Sequence, residues 1–286
     1  MTTGLRSPRF GKIELSDPRF EHDHLRFLTF NSPALKGRGD VTLYVPANTE
    51  TATDLPVVVL LHGVYCSHWA WAYKAGAHHI ADDLLQSGKL PPMIMVMPSD
   101  GLWAEGSGYL RHATADYEGW IVEDVLGCVR ECVAQVSQRS HVFIGGLSMG
   151  GYAALRLGAK HPHIFSAVSA HSAFATLEMQ RSLVTRSLPF QADDGDDGSA
   201  LFWMLQKRAQ LPPLRFDCGT EDKFLAHNRG LSHELHAAGI LHRYEEYPGG
   251  HDWSYWSDRL PATLGFFAEI LASHEHGERP QVSQRS

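Results

Sequence analysis

The run His141-Val-Phe-Ile-Gly-Gly-Leu-Ser-Met-Gly-Gly-Tyr152 joins four residues of strand character, His141 to Ile144, to a glycine-rich turn. An alanine-rich helix follows over Tyr152 to Lys160, and His161-Pro162 ends it. Inside the run, G-x-S-x-G sets Ser148 at the apex of a strand-to-helix turn, the nucleophile-elbow pattern. Such a turn holds the serine in a strained backbone conformation and lifts its hydroxyl clear of the sheet. The two chain segments then pass so closely that Gly146 and Gly150 leave no room for a larger residue. The Met149 N–H, at the start of the helix, points where an oxyanion would form. A glycine-rich loop in this position could instead cradle a phosphate, but neither G-x-x-x-x-G-K-[ST] nor G-x-G-x-x-G is present.

Outward from this run, the chain alternates. Leu25–Phe30 and Val41–Val45 each alternate apolar with polar residues, and Lys36-Gly-Arg-Gly-Asp40 turns between them, which predicts an antiparallel hairpin. Pro56–Leu61 and Met93–Met97 are continuous apolar runs, as expected of strands covered on both faces. Helical periodicity marks residues 75–86 and 121–136. Phe165–Ala170, Leu214–Cys218 and His242–Tyr247 supply further strands, with helices over about 200–210, 224–238 and 260–272. Together these predict eight strands in a mostly parallel α/β sheet with helices on both faces. The domain spans 25–272, preceded by an N-terminal surface segment at 1–24 and followed by a polar tail at 273–286. A long stretch at about 174–211 interrupts the alternation and is expected to be a small cap insertion. Its acidic run, Asp193 to Gly198, lacks the spacing of a calcium loop and reads as solvated.

A serine hydroxyl needs a base to take its proton and a carboxylate to orient that base. In this order of elements the acid follows the strand at 214–218 and the histidine follows the strand at 242–247. Asp222, in Gly219-Thr-Glu-Asp222, and His251, in Pro248-Gly-Gly-His-Asp-Trp253, stand at those places. Glu221 is the nearest rival for the acid, Asp217 lies inside a strand, and Asp252 is a loop residue. The loop after Leu61 should give a second oxyanion donor, the backbone N–H of Val64 or Tyr65, with His62 bracing the loop. Aromatics crowd the loops at the carboxyl ends of the strands, where ligands bind in such sheets. Among them Trp69, Trp103 and Trp253 are the candidates for substrate contact.

The set Leu60-Leu61-His62-Gly63, Gly146-Leu-Ser-Met-Gly-Gly-Tyr152, Gly219-Thr-Glu-Asp222 and Pro248-Gly-Gly-His-Asp-Trp253 resembles the esterase D and S-formylglutathione hydrolase-like family of esterases. The resemblance covers about residues 25–272. It implies an α/β-hydrolase fold, a Ser148–His251–Asp222 triad and no cofactor. S-formylglutathione hydrolases of that family usually carry histidine directly before the nucleophile. This chain has Leu147 there, and Trp253 two places after the histidine, so its motifs are closer to the tributyrin and feruloyl types.

At 286 residues, 43% hydrophobic and 20% charged, the composition is that of a globular protein large enough for a sizeable core. A formal net charge of −7 argues against nucleic acid or an anionic membrane as partner. The first ten residues contain no apolar run of the signal-peptide kind, and a cytoplasmic location is expected. The four cysteines form no C-x-x-C pair. The pairs His22/His24 and His78/His79 match no H-E-x-x-H or similar spacing, so no metal is expected. The expectation is therefore a serine carboxylesterase acting on short-chain acyl esters of small molecules. The alternatives are a carbohydrate-directed esterase removing acetyl or feruloyl groups, an S-formylglutathione hydrolase-like thioesterase, and a non-catalytic ligand-binding relative. A homo-oligomer stays open.

Overall fold

The computed structural model describes residues 4–186, 188–193 and 195–275. Among these residues ten strands form one sheet: β1 (Leu5–Ser7), β2 (Gly11–Leu15), β3 (Leu25–Ser32), β4 (Gly37–Tyr44), β5 (Val57–Leu61), β6 (Ile94–Pro98), β7 (Val142–Leu147), β8 (Ala167–His171), β9 (Leu214–Gly219) and β10 (Arg243–Tyr247). Their spatial order is β1-β2-β3-β4-β6-β5-β7-β8-β9-β10. The six strands from β5 to β10 pair in parallel, while β1 to β4 and the β4–β6 junction are antiparallel. The expected hairpin is β3–β4, with Leu28 opposite Val41.

The count of eight strands is corrected to ten. The two extra strands, β1 and β2, lie in the segment before residue 25. They form a short antiparallel edge whose residues are largely exposed, but Ile13 pairs with Phe30 and is fully buried. Within β2 only Ile13 and Leu15 alternate with Lys12 and Glu14, too short a run to mark a strand by its pattern.

Among the described residues there are nine α-helices: α1 (Ala70–Ala75), α2 (Ala77–Gln86), α3 (Tyr117–Gly119), α4 (Leu126–Cys132), α5 (Met149–Lys160), α6 (Leu177–Ser182), α7 (Ala200–Gln206), α8 (Leu225–Ala237) and α9 (Trp253–Glu275). A π-helical stretch, Trp120–Val125, links α3 to α4. The alternation of strand side chains decides which helix meets which face. Val57, Val59 and Leu61 face a core shared with residues of α4, α5 and α8. Val58 and Leu60 face the other core, with α1, α2 and α9. All five residues of β5 are therefore buried, which is why its sequence is an unbroken apolar run.

α9 begins seven residues before the expected start at Leu260, because Asp252 caps it. The Asp252 carboxylate accepts from the N–H groups of Ser254 and Tyr255 at 3.0 and 3.1 Å. Between β8 and β9, the expected cap stretch supplies α6 and α7. The expected polar tail lies outside the described residues beyond Glu275, and so does Asp194 of the acidic run. Among the described residues, no helix is long and apolar enough to cross a membrane.

Candidate active site

β7 runs straight into α5, and Ser148 sits between them at φ 53°, ψ −117°. A side chain in that backbone region is strained and persists only where the surroundings dictate it. Here they do. A Cβ on Gly146 would collide with the Gly150 carbonyl, and one on Gly150 would collide with the Leu61 carbonyl and stand 2.7 Å from the His62 oxygen. The Ser148 N–H donates to the His171 carbonyl at 2.9 Å, so β8 also pins the turn. Met149 opens α5, in whose first turn the amides have no acceptor within the helix.

The loops after β9 and β10 bring Asp222 and His251 to this serine. They are tied together where the Glu221 N–H donates to the Gly249 carbonyl at 3.0 Å. His251 Nε2 lies 3.0 Å from Ser148 Oγ, and His251 Nδ1 lies 2.9 and 3.1 Å from the two Asp222 oxygens. Only one tautomer fits this row: the Nδ1–H donates to the carboxylate and Nε2 accepts from the serine hydroxyl. Burial raises the Asp222 carboxyl, but hydrogen bonds from His251, the Phe224 N–H and Ser172 outweigh it and hold the group below its ordinary value. Asp222 is therefore ionised at neutral pH. Glu221 is exposed to solvent and Asp217 is committed elsewhere, so neither rival reaches His251.

Asp217 is buried between Arg215 Nη1 at 2.8 Å, the Tyr255 hydroxyl at 2.8 Å and His171 Nδ1 at 2.9 Å. The other nitrogen of His171 lies 2.9 Å from Thr263 Oγ1. His171 is thus a satisfied core histidine at the end of β8. His62 is likewise a brace: the Asp100 N–H donates to its Nε2 at 3.1 Å, and its Nδ1–H donates to the Gly63 carbonyl at 2.8 Å. Burial drives its pKa down against the opposing charge of Asp100.

The two expected oxyanion donors after β5 differ. The Tyr65 N–H is given to the Glu105 carbonyl at 2.7 Å, which leaves Val64 as the candidate of the pair. Gly63 lets this loop lie against the elbow, since a Cβ there would stand 3.4 Å from Ser148 Cβ.

The aromatics divide by burial. Trp71, Tyr109, Tyr255 and Trp256 are buried with their polar tips bonded, to the Leu61 carbonyl, His62, Asp217 and Ser172 respectively. Trp69 is exposed, while Trp103 and Trp253 are half-buried. Trp253 packs edge-on to both Trp71 and Trp256, and Trp103 packs edge-on to His112. Three supporting roles were not read from the sequence, although Trp256 stands among the aromatics of the loop after the last strand. Phe224 and Trp256 meet the His251 ring edge-on, at 4.9 and 5.0 Å between centroids, and fix its plane. Ser172, at φ 49°, accepts from the Trp256 indole at 3.1 Å. Phe224 and Trp256 stand within five residues of Asp222 and His251, and that adjacency was the available signal; Ser172 had none.

This arrangement can move a proton from a serine hydroxyl to an imidazole whose charge a buried carboxylate balances. Residues 32–267 match the model of the family described as "Putative esterase". An acetyl esterase of Caldicellulosiruptor saccharolyticus is 28% identical over 236 residues, covering 76% of this chain and 85% of its own. Among solved structures, a ferulic acid esterase superposes with a TM-score of 0.75 at 27% identity, covering 86% of this chain and 98% of its own. The fluorophosphonate-binding serine hydrolase F of Staphylococcus aureus gives a TM-score of 0.74 at 20% identity, covering 85% and 98%. The sheet order and these superpositions establish the α/β-hydrolase fold.

Proposed function

This chain belongs to that esterase family, and we propose that it is a serine carboxylesterase in which Ser148, His251 and Asp222 are the nucleophile, base and acid. The observation that carries this reading is the unbroken row from Asp222 through His251 to Ser148 Oγ. Ser148 Oγ attacks the ester carbonyl while its proton passes to His251 Nε2. The resulting oxyanion is held by the N–H groups of Met149 and Val64, each donor being worth about 3 kcal/mol in the transition state. Collapse expels the alcohol, which takes the proton from His251, and leaves an acyl group on Ser148. Water then gives its proton to His251, attacks the acyl carbonyl, and releases the acid and free serine.

Small-molecule esters with short acyl chains are the expected substrates, in the cytoplasm, with residues 174–211 as a small cap. No cofactor takes part in these steps. A net charge of −7 supports a protein without nucleic acid partners. The partly exposed Trp69, Trp103 and Trp253 favour one second reading, an esterase that removes acetyl or feruloyl groups from carbohydrate. Such rings stack well on sugars and aryl groups, and the relatives named acetyl esterase and ferulic acid esterase agree with it. The test is hydrolysis of p-nitrophenyl esters from acetate to palmitate by wild type and Ser148→Ala. Turnover should peak at short chains and fall to background in the folded variant. Substantial activity in Ser148→Ala would remove Ser148 from its role, and a peak at palmitate would overturn the short-chain assignment.

A further inference from the structure

The histidine pair at the start of α2 acquires a third partner from far along the chain. A carboxylate oxygen of Asp23 and one ring nitrogen each of His78 and His79 lie within 4.8 Å of one another. It is the one such group of three or more His, Cys, Asp or Glu ligand atoms among the described residues. Asp23 lies in the turn before β3, and backbone hydrogen bonds pin that turn on both sides. The Leu25 N–H donates to the His22 carbonyl at 2.9 Å, and the Val45 N–H donates to the His24 carbonyl at 3.0 Å. The two imidazoles are 3.9 Å apart between ring centroids.

His78 is 3% exposed, yet its Nδ1 is buried without a hydrogen-bond partner. A buried polar atom left unpaired is costly, so such an atom invites something else to engage the group. His79 and Asp23 are exposed, which gives an ion a path to the cluster.

We propose that Asp23, His78 and His79 form a binding site for a divalent transition cation of the zinc type. Two imidazoles and one carboxylate are a borderline-soft donor set, which suits zinc, nickel or copper and disfavours magnesium or calcium. Ligand atoms about 2 Å from a tetrahedral zinc stand roughly 3.3 Å apart. On binding, the exposed Asp23 and His79 side chains would close to that spacing, and water would complete the coordination. The ion would tie the turn before β3 to α2. The α2 helix packs on α9, whose first residue, Trp253, follows His251 by two places. The site thus braces the elements behind the active centre without touching its reacting groups.

The test titrates zinc chloride into EDTA-dialysed full-length protein by calorimetry, for wild type, Asp23→Asn and His79→Ala. Both substitutions fall on exposed residues and should leave the fold intact, which circular dichroism checks. Wild type should bind one equivalent, with affinity weakened at least about tenfold in each variant. Zinc should raise the wild-type melting temperature and leave that of His79→Ala unchanged. Magnesium chloride should give no binding heat. Equal zinc affinity in all three proteins would place the ion elsewhere in a chain that has eighteen histidines, His78 and His79 included. Either that result or no stoichiometric uptake by wild type would overturn the proposal. Neither readout uses esterase activity, so the outcome is independent of the function proposed for Ser148.

Discussion

Asp222 and Glu221 are chemically alike and adjacent, and the fold separates them by burial. The Asp222 carboxylate is shielded, accepts from the Phe224 N–H at 2.8 Å and meets His251 Nδ1, whereas Glu221 faces solvent. An amide at 222 would offer His251 a donor where it needs an acceptor and would favour the wrong imidazole tautomer. Asp222→Asn should therefore cut kcat by about ten-thousandfold, the scale seen when a triad acid is neutralised. Glu221→Gln should change it by less than about threefold. Steady-state kinetics on one short-chain ester decide the matter, and a larger loss in Glu221→Gln would move the acid role to that residue. The sequence left these two open because they share a loop, and only the direction in which each side chain leaves it tells them apart. Val64 and Tyr65 are the same kind of case, and what distinguishes them is the backbone hydrogen bond by which the Tyr65 N–H is committed to Glu105.

Elements were legible where burial on both faces wrote itself into composition. β5 to β9 are all buried along their whole lengths, and β5 and β6 read as continuous apolar runs, whereas β8 and β9 carry Ser169, His171, Arg215 and Asp217 and read as strands without one. β1 and β2 were not, because exposed edge strands carry charge. The helix expected over 121–136 is instead α3, a π-helical stretch and α4, ending at Cys132. At its start Trp120 is laid against β4, so closely that a Cβ on Gly39 would stand 2.4–2.9 Å from its ring. No periodicity in the helix itself reveals that constraint. The elbow glycines were legible for the opposite reason, since their need is local. Gly150→Ala should destabilise the protein by about 1–3 kcal/mol through overpacking and lower turnover as the turn opens. Gly230→Ala, inside α8 where a Cβ meets nothing within 4 Å, should stabilise by about 0.5–1 kcal/mol with turnover unchanged. Urea melts and ester kinetics on both variants test the contrast. Wild-type stability and turnover in Gly150→Ala would show that the close approach of β5 to α5 is not required.

Across the whole molecule, the stretch between β8 and β9 is fastened to the active-site framework at two points. Near α6, Gln180 Nε2 donates to the Gly106 carbonyl at 3.4 Å, and the Thr185 hydroxyl donates to the Glu105 side chain. Glu105 is also the residue whose carbonyl takes the Tyr65 N–H. Near α7, the acidic run expected to be solvated is instead ion-paired to α5, the helix that Met149 begins. Buried Arg156 bridges Glu118 at 2.6 Å and Asp196, while Lys160 reaches Glu118 at 2.9 Å and Asp193 at 2.5 Å. A buried guanidinium needs both carboxylates, and the run of aspartates supplies one that local sequence could not assign. Burial raises the Glu118 carboxyl, but His161, Arg156 and Lys160 together hold it far below the ordinary value. A carboxyl depressed on folding contributes stability above its unfolded pKa, about 4.3, and loses that contribution as pH falls from there through its folded value. Glu118→Gln should thus cost about 3–5 kcal/mol at pH 7, since it leaves Arg156 half-paired. The gap from wild type should narrow steadily as pH drops below about 4, where Glu118 takes up a proton in the unfolded chain while the folded protein still holds it ionised. Hydrogen exchange of residues 195–199 should rise in the variant at pH 7, because Asp196 loses a fully anchored partner. A stability gap constant with pH, or unchanged exchange, would mean that Glu118 does not hold this fastening.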